Sequence, residues 1–212
     1  MHSCMRNTII ALLTISAVSW SVTAARADLL IGSNRTDSVL RFNQCTGELI
    51  DEFIAGGSGG LTRPGGIALG ADGNLYVSSN GTHGVLRYSG TDGSFIDEFV
   101  AAGSGDLDKP SALIFGPDGN LYVASHGPNP VLRYDGITGE LIDVFVPSGG
   151  GMIGNPTSLR FGPDGNLYVD SRRNSRVLRF DGASGEFIDT FVPQGTGGLS
   201  APNSMLFFTP GS

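Results

Sequence analysis

A single spacing dominates this sequence. The run Val-Leu-Arg-aromatic begins at Val39, Val85, Val131 and Val177, and each copy follows the last by 46 residues. A second run, apolar-Ile-Asp-x-Phe, begins at Leu49, Phe95, Leu141 and Phe187 and keeps the same step. The segment that starts at Leu69 and reads on through Asp-Gly-Asn-Leu-Tyr-Val returns from Phe115 and from Phe161, and prolines mark one phase at Pro64, Pro110, Pro156 and Pro202. No insertion disturbs the register. Such a period means an array of equal units, each too small to bury its own apolar face and dependent on its neighbours for a core.

Each unit reads as four short strands. Residues 67–69 open the first, and Asp72-Gly73 supplies a hairpin turn, because both residue types tolerate positive φ. Residues 75–77 form the second strand, with Leu75 and Val77 on one face and Tyr76 on the other. Residues 85–88 form the third, and a turn through Asp92-Gly93 leads to the fourth at 95–100. Gly, Asp, Asn and Ser bound every run, and no helical period intervenes. Four antiparallel strands in a unit of this length make a propeller blade. The expected fold is therefore an all-β β-propeller, with four blades of four antiparallel strands forming one domain over residues 28–212.

The chain ends carry the same phase. Residues 204–208 align with 158–162, so the last segment has the character of a first strand, while Asp28 aligns with Asn74 at the start of a second. Pairing of residues 205–208 with 29–31 is expected to complete the N-terminal blade and close the ring, covering edges that an open array exposes. Gly211 falls at the phase of the hairpin glycines Gly73, Gly119 and Gly165. Integer phasing of the termini favours a monomeric four-bladed ring. Exchange of the terminal strand between two chains would instead give an eight-bladed one.

Residues 1–27 read as a leader and not as part of the blades. Arg6 precedes an apolar run over 9–20, and small residues follow, ending Ala25-Arg26-Ala27, the pattern of a signal-peptidase cut. The apolar run is short for a membrane span. A secreted or periplasmic protein, cleaved near Ala27 and free of the membrane afterwards, is expected. The leader holds Arg6 and Arg26 and no acidic residue, so its removal makes a chain of formal net charge −7 more acidic still. That balance disfavours nucleic acid and anionic lipid as partners. Cleavage would also leave Cys45 as the one cysteine, in a turn where other copies have Thr91, Ile137 and Ala183.

The blade motif, Pro-x-x-apolar followed by Gly-Pro-Asp-Gly-Asn-Leu-Tyr-Val, a polar loop and Val-Leu-Arg-(Tyr/Phe)-Asp-Gly, resembles the NHL-repeat propellers and the streptogramin (virginiamycin B) lyase-like repeats. Residues 170–177 form the copy most similar to an NHL unit. The resemblance covers essentially the whole mature chain. It implies a scaffold that serves in relatives for protein binding, RNA binding, and lyase or lactonase chemistry.

The repeated charges have a structural explanation. Arg41, Arg87, Arg133 and Arg179 sit on strands adjacent to those of Asp51, Asp97, Asp143 and Asp189, so a cross-strand ion pair in each blade is expected. Asp72, Asp118 and Asp164 are turn formers. Function belongs to loops that vary between copies on a rigid scaffold, here the loops from second to third strands. Asn34, Asn80, His83, Arg172 and Arg173 lie in them as candidate ligand-binding residues. His126 is the candidate catalytic residue, a general base by its titration near neutrality. Ser111, Thr157 and Asn203 follow the prolines and are expected to line the channel, where a divalent cation held by hydroxyl, amide and carbonyl oxygens is conceivable. No other metal site or cofactor is indicated. The expected function is an exported binding or interaction module for a protein or small-molecule ligand on the loop face. A lyase or lactonase with its site at the channel mouth is the second reading, and a structural surface or matrix component the third.

Overall fold

The structure, a computed structural model, describes residues 27–128, 130–149 and 151–208. The leader, apart from Ala27, and Gly211 lie outside them. The described chain is built from strands and short 3-10 turns, and none of its helices is long and apolar enough to cross a membrane. The first blade holds β1 (Leu29–Ser33), β2 (Ser38–Phe42) and β3 (Leu49–Ile54). The second holds β4 (Pro64–Leu69), β5 (Leu75–Ser79), β6 (Gly84–Tyr88) and β7 (Phe95–Val100). The third comprises β8 (Ala112–Phe115), β9 (Leu121–Ala124), β10 (Val131–Tyr134) and β11 (Leu141–Val146). The fourth comprises β12 (Leu159–Phe161), β13 (Leu167–Ser171), β14 (Arg176–Phe180) and β15 (Phe187–Val192). Each blade is an antiparallel meander with its strands in chain order. The repeat therefore folds as the all-β propeller blades that its spacing predicts.

The turns form for the reasons the residues suggest. Gly73 stands at φ 78°, and Asp72 Oδ1 accepts the backbone N–H of Asn74 at 3.0 Å. The same arrangement recurs at Asp118 and Asp164. The third and fourth strands are tied by the expected ion pairs. Arg41 stands opposite Asp51, and Arg87 opposite Asp97, with Arg133–Asp143 and Arg179–Asp189 repeating the register. Each guanidinium makes a two-point hydrogen bond to its carboxylate, the Nε contact lying at 3.0–3.2 Å. Each also lies over the ring of a phenylalanine in the fourth strand, 4.8–5.3 Å from its centroid.

Side-chain alternation in the second strand decides which neighbour each residue meets. Leu75 and Val77 join Leu86 and Tyr88 in a core with Val39, Phe53, Ile54 and Leu61 of the first blade. Tyr76, on the other face, packs with Phe99 and Val100 against Leu113, Leu121 and Val123 of the third. Tyr122 repeats this against the fourth blade. The tyrosine rings stand edge-on to phenylalanines of the next unit, Tyr76 to Phe115 at 4.9 Å and Tyr122 to Phe161 at 5.1 Å between centroids. Backbones also meet closely. Gly139 has φ 75°, and a Cβ there would lie 1.9 Å from the carbonyl oxygen of Phe99 in the preceding blade.

The ring closure expected at the termini is not formed among the described residues. β1 pairs with β2 alone, so the first blade has three strands, and residues 201–208 carry no strand. The buried clusters lie at the three junctions between consecutive blades, and Leu29, Ile31 and Phe191 are exposed instead of sealing a fourth. Cys45 is disulfide-bonded in the structure, whereas cleavage near Ala27 is expected to leave it as the one cysteine.

The close approach at Gly139 gives a stability test. Gly139→Ala must move the Phe99 backbone as well as strain its own φ, whereas Gly73→Ala meets nothing within 4 Å and carries only the φ penalty. Chemical denaturation is expected to show a loss of about 1 kcal/mol for Gly73→Ala and at least about twice that for Gly139→Ala. Equal losses would mean that the blades are not in backbone contact there.

Candidate functional site

The loops between second and third strands share one end of the blades with the segments that lead into each proline. Their backbone is fixed by a repeated device. Asp37, His83 and Ser175, in one phase, all adopt left-handed φ of 51–64°, and Arg63, Lys109, Asn155 and Ala201, each just before a proline, adopt left-handed φ of 45–53°. Asp37 Oδ1 accepts the N–H of Arg63 at 2.7 Å, and Ser175 Oγ accepts that of Ala201 at 3.1 Å. Each contact ties one blade's loop to the next blade's entry. His83 does the same work differently: its Nδ1 lies 2.7 Å from Asp108 Oδ1 and 3.4 Å from Lys109 N. A carboxylate only accepts, so the shorter contact places the ring proton on Nδ1.

The proline carbonyls are a second fastening. Asn80 Nδ2 donates to Pro110 O at 3.4 Å, and Ser111 Oγ donates to Pro156 O at 2.6 Å. His126 Nε2 lies 3.3 Å from the same Pro156 oxygen, which can only accept, so Nε2 carries the proton. Thr157 Oγ1 stands 3.2 Å from Pro202 O. Thus Asn80, His83, His126, Ser111 and Thr157 all bridge neighbouring blades. Asn34 is exposed in the β1–β2 loop, and Asn203 is exposed just after Pro202.

Blade four departs from this pattern. Arg172 and Arg173, in a 3-10 turn after β13, are exposed and form no ion pair among the described residues. Arg173 borders a small polar pocket of about 190 Å³ together with His126, Ser125, Asn155 and Pro156. Ser125, fully buried, holds the pocket wall: its Oγ accepts N–H groups of Asp108 and Gly127 at 3.1 Å. The structure so brings His126 and Arg173 to one site, while Asn34, Asn80 and His83 belong to other junctions. The described lining of this pocket contains no carboxylate and no thiol.

Asp170 is an ionisable residue that the repeat pattern does not single out. It occupies the phase of Ser78, whose Oγ accepts Gly66 N–H at 2.7 Å. Asp170 is fully buried, and its Oδ1 accepts the N–H groups of Thr157 and Ser158 at 2.6 and 2.9 Å. Its Oδ2 faces Thr157 Oγ1 at 2.6 Å. Burial raises its pKa, against the hydrogen bonds and the nearby Arg172 charge that favour the carboxylate. Thr157 has one hydroxyl proton for two acceptors, Asp170 Oδ2 and Pro202 O. Ionised Asp170 takes it; protonated Asp170 can donate instead and release the threonine to the next proline.

The opposite end of the blades holds a larger cleft of about 700 Å³ between blades two and three, lined by Asp72, Tyr76, Arg87, Phe115, Asp118 and Ile137 among others. Its polar groups are those of the repeat. Asp72 Oδ2 accepts from Tyr76 Oη at 3.0 Å and from Asn74 Nδ2 at 2.7 Å. Desolvation pushes the Asp72 carboxyl up, but these bonds and the Arg87 charge outweigh it and hold the pKa below the ordinary value. Burial moves Tyr122, the equivalent tyrosine one blade on, up to about 12. Such groups are locked in structural pairs. Among the described residues no cluster of three or more His, Cys, Asp or Glu side chains is placed to hold a metal ion.

No protein family and no curated protein matches the sequence. Solved structures do match the fold. The chain is similar to a catalytically inactive virginiamycin B lyase from Staphylococcus aureus solved with quinupristin, at 18% identity and TM-score 0.63, covering 85% of this chain and 56% of that one. It is similar to hydrazine synthase of Kuenenia stuttgartiensis, at 23% identity and TM-score 0.61, over 79% of this chain and 46% of that. A chain of a nidogen/laminin complex matches at 17% identity and TM-score 0.64, over 84% and 64%. These likenesses establish the propeller fold. This chain spans roughly half to two thirds of the length of those structures.

The raised Asp170 pKa has a signed consequence. The folded state holds this proton more tightly than the unfolded chain does, so the contribution of Asp170 to stability is fully present below the ordinary aspartate value of 3.8 and is lost as pH rises through the folded pKa. Asp170→Asn removes that decline. Its melting temperature relative to the parent is expected to increase from acid toward neutral pH, read by calorimetry across a pH series; a difference that stays flat or falls contradicts the assignment.

Proposed function

We propose that this is an exported binding module that engages its ligand through the loop face at the junction of blades three and four. One observation carries the reading. Around that face many of the varied side chains are spent on fastening blade to blade, but Arg172 and Arg173 are exposed and form no ion pair among the described residues, and Arg173 borders the pocket of His126, Asn155 and Pro156. On a chain of net charge −7, an exposed arginine pair is a local exception. Guanidinium groups suit carboxylate and other oxyanion partners through two-point hydrogen bonds, so the favoured ligand is an acidic protein segment or an anionic small molecule. A propeller chain from a nidogen/laminin complex among the similar structures supports a protein-binding use of the fold. Secretion or periplasmic residence follows from the leader pattern, and it sets the pool in which partners are to be sought.

The second reading, a lyase, rests on His126 lining the pocket and on the fold likeness to virginiamycin B lyase. Proton abstraction needs a base aligned by a partner and a group that receives developing charge. His126 is aligned by Pro156 O through Nε2, which leaves Nδ1 as its acceptor nitrogen. Arg173 is the one cation in the pocket's described lining.

Two experiments separate these readings. Capture from the exported-protein fraction with the intact chain is expected to retain a partner that Arg172→Glu/Arg173→Glu fails to retain; an identical set with both chains, or none with either, contradicts the binding site. Incubation with quinupristin, followed by chromatography, is expected to leave it intact. Cleavage that His126→Ala abolishes without lowering the melting temperature would replace the binding reading with the lyase one.

A further inference from the structure

At the end opposite the loop face, one cleft departs from the repeat that builds it. We propose that the cleft between blades two and three binds a small organic cation with an apolar body. Its volume of about 700 Å³ falls in the range of roughly 300–1,000 Å³ usual for small-molecule sites. The rings of Tyr76 and Phe115, edge-on to one another at 4.9 Å, line it, and so does Ile137 in the turn between β10 and β11. Ile137 is 84% exposed. An isoleucine held in water at a turn gains when an apolar surface covers it, which favours a ligand with an apolar body.

The junction of blades three and four carries the same cleft without these features. Every described lining residue there is the repeat counterpart of one in the first cleft, but the rings of Tyr122 and Phe161 are not among them, and the volume is about 530 Å³. Two substitutions separate the clefts. Pro117 stands where the first has Ala71, and Ala183 where it has Ile137. The turns are otherwise alike. Gly73 and Gly119 hold φ of 78° and 80°, and each donates its N–H to the glycine three residues before it at 3.0 Å. Ala71 in place of a proline ring therefore opens the aromatic floor, and Ile137 adds an apolar wall beside it.

Charge selects the sign of the ligand. Asp72, Asp118 and Asp135 border the cleft, and Arg87 is the one cation in its described lining. That guanidinium is already held by a two-point bond to Asp97 and reaches Asp72 only at 4.0 Å. Asp118 has Arg133 at 3.8 Å, itself held by Asp143. Asp135 forms no ion pair among the described residues. Its Oδ1 accepts the N–H groups of Thr138 and Ile137 at 2.8 and 2.9 Å, and these bonds hold its pKa below the ordinary value, so it stays charged at neutral pH. The bordering carboxylates thus exceed the guanidinium charge near them, on a chain that is acidic as a whole, and a cationic group is the complement.

The repeats themselves supply variants that keep the turns. Ala71→Pro copies Pro117, Ile137→Ala copies Ala183, and Asp135→Asn copies Asn43, whose Oδ1 accepts the N–H groups of Cys45 and Thr46 at 2.9 and 3.1 Å. Calorimetric titration would use naphthylethylamine and berberine, two cations with apolar bodies, and naphthylacetate, an anion of like body. Each cation is expected to bind more tightly than the anion and to lose affinity as salt is added. Each substitution is expected to weaken cation binding by about tenfold without lowering the melting temperature. Arg172→Glu/Arg173→Glu, at the other end of the blades, should leave that affinity unchanged, which separates this site from the loop face. Failure of both cations to bind, equal binding of the anion, or an affinity indifferent to Ala71→Pro and Ile137→Ala would overturn the proposal.

Discussion

The contact on which this structure depends is the edge-on stacking of a second-strand tyrosine against a phenylalanine of the next blade. Tyr76 and Tyr122 make it with centroids 4.9 and 5.1 Å apart, Tyr168 makes the same contact with Phe207 of the C-terminal segment at 4.8 Å, and each tyrosine holds a phenylalanine of its own blade's fourth strand on the other side at 4.7–4.9 Å. The tyrosine hydroxyl is satisfied by the Asp-Gly turn below it, through Asp72, Asp118 or Asp164. A ring with one apolar body and one polar tip can therefore be buried at a junction without leaving an orphaned group. The fixed 46-residue step follows, since any insertion would move the tyrosine off its partner.

With cores placed between blades, the loop end must also be fastened, and it is fastened by side chains that look functional in isolation. His83 and His126 are polar, loop-borne and titratable, yet both hold backbone or carboxylate groups of an adjacent segment. On the proposed reading, the asymmetry useful for recognition lies where a repeat position stops serving the fold, at Arg172 and Arg173. Their loop also follows β13, where the buried carboxylate of Asp170 replaces the serine of blade two, so the fourth blade differs from the second both in its core and at its rim.

The blades are legible in the sequence because each depends on local signals: Asp-Gly turns, alternating strand residues, and Arg–Asp pairs held in register by the hairpins themselves. The fastenings are less legible. The left-handed residues at 37, 83 and 175 act on residues 26 positions later, across a junction, and only their shared phase with 63, 109 and 201 hints at it. The closing strand escapes sequence reasoning for a related reason. Phase shows that residues 204–208 have first-strand character, and the structure seats Phe207 accordingly, but phase carries no information on the angle between blades. Whether an end meets its own beginning is decided by that angle. His126 and Arg173 share a pocket although their repeat phases differ by one residue, a meeting that becomes visible only with the fourth blade in place.

The claim that junctions, not individual blades, hold this chain together is tested most directly by a double-mutant cycle across one of them. Tyr122→Leu and Phe161→Leu, alone and together, would be measured by equilibrium denaturation. The account predicts a coupling of about 1 kcal/mol between the two positions, beyond what either loses by itself. Strict additivity would show that the two rings do not sense one another, and the junction would then be no more than a place where finished sheets happen to touch.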